Sequence, residues 1–309
     1  MAETSSRIGM SSDDVAVIIP VYNDTHRLRL CLEALANQQL ADLNLEVLVV
    51  DNNSTEDISV VTREFPFVRL LHEAKPGSYN ARNRALNELG DQLFIGFTDA
   101  DCIPVTDWVA RAVRCLKESP NVAVGGPVRM FSECEEAPSL AERYEILFAF
   151  PQKDAIEREH YSVTANLFIT RQMFEKAGFF NPDLYSGGDY AYGQQLRSAG
   201  FKLCYVDQLV IYHPARATIA QLTSRIRRTA GGSYLQREHY EYLRRRYSWR
   251  SILYGLRPPF RMYLKIFAES KTGIFPKLAL CFLATSLRIR QALVYMGYKL
   301  KLLRRMERF

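Results

Sequence analysis

The chain has 309 residues, 48% of them hydrophobic, which excludes a disordered or fibrous protein and leaves room for a full α/β core plus an appendage. Its net charge of +6 hides an asymmetry: residues 215–309 hold 21 of the 40 Lys/Arg but four of the 34 Asp/Glu, about +17 against about −11 for the rest. Such polarity implies two surfaces with different partners, the basic one suited to polyanions or an anionic membrane. The six cysteines (Cys31, Cys102, Cys115, Cys134, Cys204, Cys281) are scattered without a C-x-x-C pair, as expected of reduced thiols rather than disulfides or a zinc site. Residues 1–14 read as a flexible N-terminus, polar and acidic, without the basic-then-apolar order of a secretory signal, so a cytoplasmic protein is expected.

Short β-branched runs occur at 15-VAVIIP-20, 46-EVLVVD-51, 68-VRLLH-72, 92-QLFIGFTD-99 and 121-NVAVGG-126. They alternate with segments of three-to-four apolar spacing at 26–38, 55–65, 79–90 and 106–119, where Thr106 is placed to cap a helix and Gly90 to stop one. This alternation predicts an α/β fold: a mostly parallel sheet flanked by helices, with ligands bound beyond the carboxyl ends of the strands. Pro20, Asp51 and Asp99 fall at those ends. After Gly126 a helix over 139–150, a strand over 161–170, a short helix from Arg171, a loop at 181–189, a helix to Ser198 and the apolar run 201–207 complete a domain of residues 15–215. Residues 216–309 read as a basic, helical appendage rich in Arg and Tyr, with a turn at Pro258-Pro259.

The turn after the first run, 19-IPVYND-24, lacks the glycines of a dinucleotide fingerprint, and no G-x-x-x-x-G-K-[ST] loop exists. A phosphorylated ligand would then need another counter-charge, and a divalent cation held by closely spaced carboxylates supplies one. Asp99 and Asp101 in 97-FTDADCIP-104 are such a pair: in an extended segment they share a face and could converge on one ion. A solvated acidic turn is the other reading of that triplet.

Six words, 18-IIPVYN-23, 49-VVDNNSTED-57, 80-NARNRAL-86, 98-TDADC-102, 125-GGPV-128 and 187-GGDYAYGQQLRSAGF-201, stand in an order and spacing that resemble the family-two glycosyltransferases of the GT-A fold. Those enzymes transfer a sugar from a nucleotide diphosphate donor, and the resemblance spans roughly residues 15 to 215. It implies that Pro20, Tyr22 and Asn23 line a nucleoside pocket, that Asp51 accepts a hydrogen bond from base or ribose, and that Arg82 approaches base or diphosphate. It implies further that Asp101 holds Mg²⁺ or Mn²⁺ directly, that Asp99 shares the ion or a ribose hydroxyl, and that His213 is an added ligand. Asp189 takes the place of the catalytic base, which implies inversion at the anomeric carbon. Gly188 replaces the acid that commonly precedes that base, and the glycine pair would leave flexible room for an acceptor. Simpler structural roles stand beside these: a turn cap for Asp51, a surface charge for Arg82, a core imidazole for His213 and a helix N-cap for Asp189. A UDP-sugar donor and a glycan or lipid-linked acceptor are expected. The rivals are a non-catalytic sugar-nucleotide scaffold and a nucleotidyltransferase.

In the appendage the uncharged run 278–287 is ten residues, short of the roughly 20 that a spanning helix needs, so no transmembrane segment is expected. Ile289, Leu293, Met296, Leu300 and Leu303, with Arg288, Arg290, Lys299, Lys301, Arg304 and Arg305 around them, read instead as an amphipathic helix lying on an anionic membrane, on its inner face, or as a helix packed on the core. No nucleic-acid module accompanies the charge, and nucleic acid is not an expected partner. Arg225, Arg227 and Arg228 stand roughly where processive relatives carry a Q-x-x-R-W word; its absence implies transfer of single sugars.

Overall fold

A computed structural model describes residues 13–269 and 273–303. The expected flexible N-terminus therefore lies almost wholly outside the described residues; its last two positions already belong to the first strand, β1 (Asp13–Val21). The chain continues through α1 (Thr25–Ala36), β2 (Leu43–Asp51), α2 (Ser59–Thr62), β3 (Val68–His72), α3 (Ser78–Asn87) and β4 (Phe94–Phe97). Next come β5 (Ile103–Pro104), α4 (Trp108–Glu118), β6 (Val122–Gly125), β7 (Val128–Phe131), α5 (Leu140–Phe148), α6 (Gln152–Glu159), β8 (Leu167–Thr170), α7 (Arg171–Ala177), α8 (Gly188–Ser198), β9 (Lys202–Tyr205) and β10 (Ile211–Pro214).

Seven strands form one sheet in the order β3-β2-β1-β4-β8-β6-β9, parallel except for β8, which runs against both β4 and β6. A small second sheet, β5-β10-β7, is built from the segments that leave the carboxyl ends of β4, β6 and β9. Val15, Val17, Ile18 and Ile19 of β1 and Val47 to Val50 of β2 are fully buried, the continuous apolar pattern of strands covered on both faces. Hence the first half of the sheet follows the predicted alternation.

Boundaries moved where local chemistry overrides periodicity. The expected helix over 55–65 shrinks to the single turn α2, because Asp57 and Asp51 use their carboxylates to hold turns at Ser59 and Ser54. Asp107 rather than Thr106 precedes α4, and α3 stops at Asn87, before Gly90. The strand expected over 161–170 begins only at Leu167, after a 3₁₀ turn at Thr164–Asn166. There the buried Asn166 accepts from the Trp108 indole and donates to the carbonyls of Leu209 and Pro127, stitching α4 to the loops beneath the small sheet. Gly126 is required at that seam, since a Cβ on it would meet the Leu209 carbonyl oxygen at 2.0 Å.

The C-terminal part is helical as expected: α9 (Ile219–Gln236), α10 (Glu241–Arg246), α11 (Trp249–Gly255), α12 (Phe260–Ala268) and α13 (Ile274–Lys299). The transmembrane reading needs correction. α13 is 26 residues long and, alone among the described helices, is long and apolar enough to cross a membrane by length and composition. Lys277 and Arg288 interrupt its apolar run but not the helix. A third of that apolar window is buried, with Leu280, Leu283, Ala284 and Leu287 packed on α5, α9 and α12. The amphipathic stripe also differs from expectation. Leu300 only caps the helix, Leu303 folds back onto Gly297, and Arg304 and Arg305 lie outside the described residues. The most exposed apolar residues sit at the other end, Phe275 and Phe282 at 80% and 78% exposure.

One ionic joint fixes these helices to the core. Glu145 of α5 is fully enclosed and accepts from Arg216 at 3.0 Å and from Arg225 of α9 at 2.8 Å. Two guanidiniums on one carboxylate satisfy the buried anion and leave a net positive charge behind the small sheet.

Candidate active site

The carboxyl ends of β1 and β4, the first turns of α3 and α8, and the strand β10 surround an open cavity of about 260 Å³. Pro20, Tyr22, Arg82, Asp99, Asp189 and His213 line it, joined by Tyr79, Thr164, Asn52, Phe150, Arg216 and Arg228. Six of the nine residues singled out in the sequence thus face one space.

The D-x-D pair does not lie in an extended segment. β4 ends at Phe97, and the Cys102 N–H donates to the Asp99 carbonyl at 3.1 Å, closing a turn over 99–102. Convergence arises from that turn. Asp99 pairs with Arg82, and Asp101 approaches Nε2 of His213 at 3.4 Å. The His213 Nδ1 donates to the Pro214 carbonyl at 2.8 Å, which places the ring proton on that nitrogen and leaves the Nε2 lone pair facing Asp101. Asp99, Asp101, Cys102 and His213 offer ligand atoms all within 4.8 Å of one another. Two carboxylates and an imidazole with a free lone pair are the donor set of a hard or borderline divalent ion, so the residues fit Mg²⁺ or Mn²⁺. Burial raises the Asp101 pKa, and the neighbouring Asp99 carboxylate adds to that rise. Burial, then the two nearby carboxylates, push the Cys102 thiol well up, so it stays protonated.

α3 presents Tyr79 and Arg82, three residues apart, to the cavity on one face. Arg82 is 2% exposed, with its charge on Asp99 and its Nε among the buried polar atoms that have no partner.

Asp189 occupies the first turn of α8, as its N-cap reading required, but the left-handed Gly187 is the cap itself. Oδ1 of Asp189 accepts from the Thr164 hydroxyl at 3.0 Å and from the Tyr79 hydroxyl at 3.2 Å. The same Tyr79 oxygen accepts from the Gly188 N–H at 2.9 Å. Burial raises the Asp189 pKa; Arg82 pulls it down and Asp99 pushes it up. The expectation of free room at the glycine pair is overturned. A Cβ on Gly188 would fall 2.5 Å from the Tyr79 ring and one on Gly187 2.5 Å from the Gln236 amide, so both glycines serve tight packing.

Asp51 and Asn23 stand one step back from the cavity. Oδ1 of Asp51 accepts from the Ser54 N–H and its Oδ2 lies 3.2 Å from Nδ1 of His72, which is the turn-holding role anticipated beside the ligand role. Asn23, at φ +50°, accepts from the N–H groups of Thr55 and Glu56. Asn52 donates to the Glu73 and Lys75 carbonyls and accepts from Gly77, so the word 51-DNNSTED-57 builds the loops that aim α3. Tyr79, Thr164, Asn52, Arg216 and Glu145 were not singled out in the sequence. Tyr79 and Asp189 are 110 positions apart, and no local pattern announces such a pairing.

The sequence profile described as glycosyl transferase family 2 matches residues 16–179, more than half of the chain. The chain is a family-two glycosyltransferase. Glycosyltransferase AglE of Haloferax volcanii is 32% identical over 207 residues, which are 65% of this chain and 67% of that protein. A Methanococcus voltae glucuronosyltransferase whose name specifies a dolichyl N-acetyl-alpha-D-glucosaminyl phosphate is 25% identical over 219 residues, 66% of this transferase and 68% of its own length. Among solved structures, the mannosyltransferase PcManGT of Pyrobaculum calidifontis, in complex with GDP-Man and Mn²⁺, covers 93% of this chain and 86% of its own, with a TM-score of 0.62 at 20% identity. S. aureus TarS 1-349 in complex with UDP-GlcNAc covers 93% and 92% with a TM-score of 0.56 at 16% identity. These two likenesses establish the shared GT-A fold of the transferase.

Proposed function

We propose that this transferase moves one sugar from a nucleotide diphosphate donor, with UDP as the nucleotide, to an acceptor hydroxyl on a lipid-linked glycan, with inversion and with a divalent cation. The observation that carries the reading is that Asp99, His213 and Asp189 line one cavity, with Asp101 clustered against Asp99 and His213 behind its wall. Asp101 and His213 would hold Mg²⁺ or Mn²⁺, with Asp99 beside it. The ion, when bound, supplies positive charge against the diphosphate leaving group.

Pro20 and Tyr22 form the wall for the nucleoside, and Asp51 and Asn23 keep that wall in place through the 53–56 loop. Arg82, Arg216 and Arg228 bring fixed cations to the same space, suited to phosphate oxygens. Asp189 takes the proton from the acceptor hydroxyl as that oxygen attacks the anomeric carbon from the side opposite the diphosphate. Its raised pKa makes it a stronger base than a free carboxylate, and the Tyr79 and Thr164 hydroxyls fix Oδ1 so that Oδ2 is the proton acceptor.

The lipid-linked acceptor is supported by the basic C-terminal helices. Leu253, Tyr254, Phe260, Leu264, Phe275 and Phe282 of α11, α12 and α13 are all exposed, with the exposed cations Arg250, Arg257, Arg261 and Lys265 among them. An apolar face set among cations suits the interface of an anionic bilayer and supports a peripheral position on the inner face of the membrane.

Calorimetric titration with UDP-sugars, with and without Mn²⁺, tests the donor reading: binding should require the ion and be lost in Asp101→Ala and His213→Ala. Release of nucleotide diphosphate and an inverted product complete the test. A retained anomeric configuration, or release of inorganic diphosphate, would refute it.

A further inference from the structure

A second cavity, of about 400 Å³, lies among the C-terminal helices, away from the carboxylates of the candidate active site. Its size falls within the range of small-ligand pockets, about 300–1,000 Å³. Leu222, Ile226, Met262 and Leu287 give it an apolar lining, and Arg225 and Arg288 give it two guanidiniums. No carboxylate lines it among the described residues. The two arginines differ in how they are held. Arg225 is satisfied by Glu145, whereas Arg288 donates only to the backbone carbonyls of Gly255 and Tyr254, at 3.2 and 2.9 Å, and forms no ion pair among the described residues. Held by neutral carbonyls and by the Tyr254 ring, 4.8 Å from its centroid, this guanidinium has no carboxylate partner among the described residues and can take an anion.

Two further observations say what kind of anion. α11, α12 and α13, which wall the cavity through Ser251, Gly255, Met262 and Leu287, carry on their outer side the exposed residues Tyr254, Leu264, Phe275 and Phe282. An amphiphile held on that outer face would lie against the same three helices that wall the cavity. On the inner side, the Arg225 guanidinium lies over the Phe150 ring, 5.1 Å from its centroid, and Phe150 lines the candidate active site together with Arg216 and Arg228. One layer of side chains therefore separates the two cavities.

We propose that this second cavity binds the acceptor's lipid phosphate, a phosphate esterified to a long apolar chain, with the phosphate on Arg288 and Arg225 and the first chain units along Leu222, Ile226, Met262 and Leu287. The glycosyl end then crosses the Arg225–Phe150 layer towards Asp189. This deepens the transferase reading and rests on it for the word acceptor; the binding step itself does not.

The probe is farnesyl phosphate, titrated into the full chain by calorimetry with no donor and no metal. Inorganic phosphate and dihexanoyl phosphatidylglycerol serve as the other arms. The expected result is saturable 1:1 binding of farnesyl phosphate, at least about tenfold tighter than either comparison ligand, because only it supplies both charge and a single apolar chain. Arg288→Gln removes a charge-assisted contact and should weaken binding about tenfold. Thr229→Trp, which fills the cavity from the exposed rim of α9, should weaken it at least as much and guards against a folding defect in the arginine variant. Asp101→Ala should leave farnesyl phosphate affinity unchanged while removing donor binding, so the two readings fail separately. Equal affinity for inorganic phosphate would leave only an anion hole, and equal affinity for the phosphoglyceride only a membrane anchor. Either result, or affinity unmoved by both cavity variants, overturns the proposal.

Discussion

Asp189 is a carboxylate under opposing influences: its place in the first turn of α8 favours the charged form, and its burial disfavours it more strongly. The native carboxyl consequently keeps its proton to a higher pH than the 3.8 of a free side chain. With that sign, wild-type stability falls relative to Asp189→Asn as pH rises through the window between the two values. The variant should be more stable than wild type at neutral pH and no more stable below the unfolded value. Urea melts at pH 3 and pH 7 measure this. Transfer by the same variant should drop about 10²–10⁴-fold with the donor still bound. Tyr79→Phe removes a donor that stabilises the Asp189 carboxylate, so the acid limb of kcat/KM should move to higher pH and kcat fall about tenfold. An unmoved limb would assign Tyr79 to packing alone.

At the level of elements, α3 and α8 meet through the Tyr79 ring and the bare Gly188 backbone. Gly188→Ala should cost about 1–3 kcal/mol, and most of that cost should vanish in a Tyr79→Leu background, where the obstructing ring is gone. Chemical denaturation of the two single variants and the double variant checks the coupling. The strands β1, β2 and β4 were legible in the sequence because burial on both faces writes a continuous apolar run, whereas β3, at the sheet edge, is only half-buried. Helix ends were less so: a side chain such as Asp57 or Asp51 can take a backbone N–H for a turn as readily as for a helix. The acidic triplet was legible as two carboxylates that converge, but the geometry of that convergence was not, since 97-FTDADC-102 reads equally as the end of a strand or as a turn. Gly188 was noticed as a departure without its cause, because the ring that excludes a side chain there comes from an element more than a hundred residues earlier.

For the whole molecule, the acidic sheet half and the basic helical half form a dipole that should orient the protein near an anionic bilayer, with α11 to α13 leading. Phe275, Leu278 and Phe282 repeat on one side of α13, and Phe275→Asp with Phe282→Asp should lower partitioning onto phosphatidylglycerol vesicles at least about tenfold. Wild-type binding should weaken from 50 to 500 mM salt; sedimentation of the vesicles reads both effects, and a pair of variants that bind normally would exclude this face. Composition had exposed the charge imbalance, whereas the position of the exposed apolar face depended on which residues of α13 the other helices cover. The Glu145 joint bears on how any such question can be asked. Both of its arginines follow residue 215, so a truncated chain ending there would strand an anion in the interior at a cost of about 3–5 kcal/mol. Insolubility of that fragment would report a broken ion triad and nothing about lipid, which makes surface point changes in the intact polypeptide the informative tool.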